Sequence, residues 1–181
     1  MVKHCKISKF LSFVLRHNPH VIGMDLDNEG WASVDELLEG AHKIGKRIYH
    51  EQIKQIVANN DKQRFSLSDD GKRIKANQGH SIKVDLELTE KEPPHFLYHG
   101  TARKFMTSIR KQGVTPSGRH HVHLSVDYET AKDVGRRHGV PVVLQVLAQE
   151  MWLDGEKFYL SANKIWLTNK VAPKYFLVMS L

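Results

Sequence analysis

The chain has 181 residues, 40% hydrophobic and 26% charged, a globular balance that fits one domain or two small ones and excludes a large multidomain enzyme. No apolar run approaches the roughly 20 residues that span a bilayer, and Met1-Val2-Lys3-His4-Cys5-Lys6 leads into an amphipathic segment rather than a signal-peptide core, so a soluble, cytoplasmic protein with no membrane partner is expected. The single cysteine, Cys5, excludes an intramolecular disulfide and a cysteine-cluster zinc site, while a net charge of +7 points to a polyanionic partner.

In chain order, Ile7, Phe10, Leu11 and Val14 carry the i, i+3, i+4, i+7 spacing of an amphipathic helix that runs to His17 and stops at Asn18-Pro19. Ser33 with Glu36 forms a capping-box pattern ahead of Leu37 and Leu38, and Tyr49 to Ala58 repeats the helical spacing through Ile53, Ile56 and Val57. Arg64 to Ser68 and Arg73 to Ala76 alternate around Asp69-Asp70-Gly71, a strong hairpin signal. Three helices followed by a hairpin predict a winged helix. Residues 81–88 alternate again at Ile82, Val84, Leu86 and Leu88, after which Glu90-Lys91-Glu92-Pro93-Pro94 interrupts the pattern and marks a boundary between domains 1–92 and 93–181.

Lys and Arg against Asp and Glu number 15 to 14 before that boundary and 12 to 6 after it. The second domain therefore carries the basic excess. It reads as α+β: short strand-like runs at Phe96 to Tyr98, His121 to Ser125, Pro141 to Val146, Lys157 to Leu160, Ile165 to Leu167 and Tyr175 to Met179 are interleaved with helical stretches near 102–112 and 127–138.

Several residues invite chemistry without specifying it. Arg16-His17 closes the first helix, where the pair complements the helix dipole or, with partners, grips a phosphate. Arg64 and Arg119 are each ordinary edge arginines taken alone. His120-His121-x-His123 puts His121 and His123 on one strand face with no carboxylate or cysteine to complete a ligand set, so no metal is expected. His99-Gly100-Thr101 reads locally as a strand-end turn with glycine there for backbone reasons. Walker, GxGxxG, GxSxG and HExxH motifs are missing.

Taken together, the motifs resemble one family. They are Ser8-Lys9-Phe10-Leu11-Ser12 with Leu15-Arg16-His17, Gly30-Trp31, Arg64-Phe65, Ala76-x-Gln78-Gly79-His80-Ser81, Leu97-Tyr98-His99-Gly100-Thr101, Arg119-x-His121-Val122-His123-Leu124-Ser125, Gly135-x-Arg137-His138-Gly139 and Val171-x-Pro173. In this order they are similar to the RNA 2′-phosphotransferases, NAD-dependent enzymes that remove the 2′-phosphate left at a tRNA splice junction.

The resemblance implies a winged-helix lobe that holds RNA, an ADP-ribosyltransferase-like α+β lobe that holds NAD⁺ as a consumed co-substrate, and catalytic residues Arg16, His17, Arg64 and Arg119 in a cleft between the lobes. It further implies that His99, Gly100, Thr101, His123 and Ser125 bind the nicotinamide riboside end of NAD⁺, and that Val171 stands where many protein-modifying ADP-ribosyltransferases carry glutamate. The expected substrate is RNA with an internal 2′-phosphate, and the expected products are nicotinamide, dephosphorylated RNA and ADP-ribose 1″,2″-cyclic phosphate, made by a monomer. Lys75 departs from the arginine of many relatives. Two other functions fit the same pattern: ADP-ribosyl capping of terminal RNA or DNA phosphates, and a non-enzymatic winged-helix regulator.

Overall fold

Two separate apolar clusters form along the chain, which divides into the units Met1–Glu87 and Leu88–Leu181. The computed structural model describes residues 2–59, 63–86 and 88–179; Met1 and the side chains of residues 2–5, Cys5 among them, lie outside the described residues. Residues 88–92 go with the second unit, where the Lys91 amide donates to the Phe158 carbonyl at 2.9 Å and Glu90 pairs with Lys157.

In the first unit, helix α1 (Val2–Arg16) buries Ile7, Leu11, Val14 and Leu15. These four lie along one face and pack with α2 (Val34–Lys43) and α3 (His50–Ala58). Ser33 caps α2, its Oγ accepting from the Glu36 amide at 3.4 Å, and Asp35 and Glu36 favour the positive end of that helix. A three-stranded antiparallel sheet of order β1-β3-β2 completes the unit: β1 (Trp31–Ser33), β2 (Phe65–Leu67) and β3 (Arg73–Ala76). The hairpin forms where Asp69-Asp70-Gly71 places it, with Gly71 at φ 69°.

Strand β1 gives little strand signal, because only the small Ala32 of its three residues is buried before Ser33 caps α2. Residues 81–86, which do alternate, form no strand. Both sides of β3 are already taken by β1 and β2, and the segment's contact with the loop before β1 is a bond from the Asp85 amide to the Asn28 carbonyl. Its alternation reflects half-burial of Ile82, Val84 and Leu86 along a loop. Position 87 lies outside the described residues.

The second unit has two three-stranded antiparallel sheets. One has the order β4-β6-β9, from β4 (Leu97–Ala102), β6 (Pro141–Val146) and β9 (Phe176–Met179); the other has the order β5-β8-β7, from β5 (Val122–Leu124), β7 (Phe158–Leu160) and β8 (Trp166–Thr168). Reciprocal 2.8 Å backbone bonds between Tyr98 and Ser125 join the two sheets. Helices α4 (Met106–Gln112) and α5 (Tyr128–Arg136) follow β4 and β5, and the six-residue α6 (Ala148–Leu153) is too short for periodicity to reveal.

Helix α5 lies on β4 and β6 through glycines. A Cβ on Gly100 would come within 1.6 Å of the Ala131 carbonyl oxygen, and one on Gly135 within 2.4 Å of the Thr101 carbonyl oxygen. Gly100 is thus needed for close approach of helix to strand, inside β4 and paired with Val143, and not for a strand-end turn. Gly135→Ala raises helix propensity by about 1 kcal/mol, yet the forced shift of backbone costs about 1–3 kcal/mol. The substitution is expected to lower the urea midpoint of the second unit; an unchanged or higher midpoint contradicts this packing.

Candidate active site

Arg16 is the last residue of α1 and His17 the next. The Arg16 guanidinium lies 5.9 Å from the Phe65 ring centroid, within reach of a cation–π contact. A helix C-terminus repels anions through its free carbonyls. Here the Phe13 carbonyl accepts from the amides of His17 and Asn18 at 3.0 and 3.1 Å, and the Arg16 carbonyl from the Ser81 amide at 2.9 Å. That capping weakens the obstacle to phosphate at this helix end. Ser81 also places its Oγ 2.9 Å from His17 Nδ1.

Arg64 enters β2 from the other side. Its carbonyl accepts from the Asn77 amide at 2.9 Å, while the Asn77 side chain accepts from Ser66 Oγ at 2.7 Å and donates to the Gln63 carbonyl at 2.6 Å. Residues 77–81 therefore tie the end of α1 to the start of β2, and buried Gln78 and His80 anchor that stretch between the two ties. His17 and Arg64 line one open groove of about 390 Å³, together with Ser8, Lys9, Ser12 and Phe13. Lys75 stands apart from these residues, its ammonium 4.6 Å from the Trp31 ring centroid and Arg73 5.2 Å from the same ring.

In the second unit, His99 on β4 donates from Nδ1 to the His123 carbonyl on β5 at 3.1 Å, since a carbonyl can only accept. Burial of the ring holds its pKa below the ordinary histidine value, the hydrogen bond to His123 pulls upward, and His138 adds a smaller push downward. His99 is therefore neutral at pH 7, with Nε2 an acceptor. Arg119, on the exposed loop before β5, reaches His123 Nδ1 at a long 3.5 Å. Ser125 follows β5 in the backbone pair with Tyr98, and Thr101 is buried at 6% exposure. Val171 is fully buried and bridges Val114.

The expected site residues thus gather in two groups. Arg16, His17 and Arg64 belong to the first unit; His99, His123, Ser125 and Arg119 belong to the second, with Gly100 turned against α5. His121, rather than joining a ligand set, stacks edge-on against Tyr159 at 5.5 Å. Among the described residues no three His, Cys, Asp or Glu side chains gather as metal ligands, and no helix is long and apolar enough to cross a membrane. The sequence reading assigned no role to Ser81, Asn77 or Phe13. Phe13 was findable, because it lies one helical turn before His17.

Residues 2–170 match the family model described as "RNA 2'-phosphotransferase, Tpt1 / KptA family". Relatives named "Probable RNA 2'-phosphotransferase" include one from Acaryochloris marina, 54% identical over 94% of this chain and 94% of its own. Another from Flavobacterium johnsoniae is 55% identical over 93% of each chain, and one from Shigella boydii is 53% identical over 93% of this chain and 92% of its own.

The state of His99 can be measured directly. Its ring is expected to show the Nδ1–H tautomer by ¹⁵N NMR and to titrate below the ordinary value near 6.5. An unfolded chain takes up that proton at a higher pH than the folded one, so stability falls as pH drops below about 6.5 toward the folded pKa. A titration midpoint at or above 6.5 contradicts the enclosed, neutral ring.

Proposed function

The chain belongs to the RNA 2′-phosphotransferase family, and from that premise we propose that it moves an internal RNA 2′-phosphate onto NAD⁺. Its first unit, in the order helix, strand, two helices and hairpin, is read as a winged helix that holds the RNA. Its second unit is read as an ADP-ribosyltransferase-like fold that holds the nicotinamide riboside. The observation that carries the reading is the groove shared by His17 and Arg64, with residues 77–81 bonded both to the Arg64 backbone and to the Arg16-His17 end of α1.

A phosphate monoester has its second pKa near ~6 and is mostly dianionic at neutral pH, so it needs no general base to attack. In the first step its oxygen bonds to the anomeric carbon of NAD⁺ while the bond to nicotinamide breaks, the electron pair leaving with the ring. In the second step the ribose 2″-hydroxyl oxygen bonds to phosphorus, the bond from phosphorus to the RNA 2′-oxygen breaks, and the hydroxyl proton passes to that oxygen. RNA leaves dephosphorylated with ADP-ribose 1″,2″-cyclic phosphate as co-product.

In this scheme Arg16, Arg64 and Arg119 fix the phosphate and meet the charge on its non-bridging oxygens, and His17 presents Nε2 to the same group. Neutral His99 accepts from a ribose hydroxyl of NAD⁺ through Nε2, with Thr101, His123 and Ser125 beside it on neighbouring strand positions. Gly100 contributes by letting α5 seat β4. The aliphatic Val171 fits a substrate that brings its own negative charge, because no carboxylate is then needed to activate an acceptor. A monomer in the cytoplasm suits a protein with a single cysteine and a core in each unit.

Guanidinium groups take the place that divalent ions hold at many phosphoryl-transfer sites. Turnover of 2′-phosphorylated RNA with NAD⁺ is therefore expected in excess chelator, and strict dependence on added Mg²⁺ contradicts the scheme. Arg64→Lys keeps the charge and loses the planar fork. It is expected to lower kcat by ~10² to 10³; wild-type kcat in that variant removes Arg64 from the site.

A further inference from the structure

We propose that the outer face of α1 is a nucleotide subsite, in which Phe13 stacks the base of the 2′-phosphorylated nucleotide and Lys9 holds a neighbouring phosphodiester. The inference rests on the proposed function and extends its groove beyond the phosphate.

The groove that contains His17 and Arg64 continues along Ser8, Lys9, Ser12 and Phe13. Lys9, Phe13 and His17 follow at i, i+4 and i+8, so they form one row, each about 6 Å further along the helix axis than the last. With the 2′-phosphate at the Arg16-His17 end, the base on the adjacent C1′ of the same ribose reaches one helical turn back to Phe13, and Lys9, a further turn along, meets a phosphodiester of the adjoining nucleotide.

Phe13 is 44% exposed although the same helix buries Ile7, Leu11, Val14 and Leu15 on its other face. An aromatic ring left in solvent at the mouth of a phosphate groove offers a base a stacking surface without choosing among bases. Lys9 is exposed and makes no ion pair among the described residues. Half-buried Ser8 and Ser12 form a parallel row of hydroxyl donors along the groove. Aromatic, cation and hydroxyls along this strip match single-stranded RNA.

The test is steady-state kinetics at saturating NAD⁺ with two RNA oligonucleotides, one carrying an internal 2′-phosphate and one identical but abasic at that nucleotide. Phe13→Ala is expected to raise KM for the first RNA about tenfold, with the loss in KM rather than kcat. The ratio of variant to wild-type KM should collapse toward one for the abasic RNA. Phe13→Tyr retains stacking and is expected to keep a KM near that of wild type. Lys9→Ala should flatten the dependence of log KM on log salt by about 0.7. Equal effects of Phe13→Ala on both RNAs, or none on either, overturn the stacking role, and an unchanged salt slope overturns the Lys9 contact. A wild-type protein inactive on the base-bearing RNA instead overturns the proposed function, so the two failures are distinguishable.

Discussion

Residues 77–81 brace the groove of the first unit. At one end of this stretch, the Asn77 amide fixes the backbone of Arg64; at the other, the Ser81 amide and hydroxyl fix Arg16 and His17. His17 and Arg64 are separated by 47 positions in sequence yet line one groove, and two residues so far apart do not come together by propensity alone. Between the ties the chain is buried, with His80 at 1% and Gln78 at 9% exposure, so the brace belongs to the core rather than to a surface loop. Preorganisation of this kind is what lets cationic groups act on a phosphate without reorganising at the moment of reaction.

In the second unit, burial keeps a histidine uncharged. Burial and the carbonyl of His123 give His99 one tautomer and one protonation state. Gly100 and Gly135 bring α5 onto β4 and so set the strand on which His99 stands. A glycine that looks like turn chemistry in the sequence is in fact a packing device here.

Elements long enough to show a period were legible. The spacing of Ile7, Leu11 and Val14 predicted α1, and Asp69-Asp70-Gly71 predicted the hairpin, because both signals are local. Helix α6 spans less than two periods, and strand β1 buries only the small Ala32, so neither left such a trace. Residues 81–86 alternated without pairing, since alternation reports burial while a strand also needs a partner edge. Arg16, His17, Arg64 and Arg119 stood out only through family resemblance, as each is unremarkable in its own window. The Ser81 contact with His17 was beyond sequence reasoning, because it depends on a loop folding back across 64 residues.

The account comes down to two chemical steps that share one phosphate. An RNA labelled at a single internal 2′-phosphate, incubated with the full chain and NAD⁺ and then separated from small molecules, follows that phosphate through both. The label is expected to leave the RNA as ADP-ribose 1″,2″-cyclic phosphate with one nicotinamide released per phosphate. Label that stays on the RNA under an ADP-ribosyl group, or that leaves as inorganic phosphate without consumption of NAD⁺, contradicts the account.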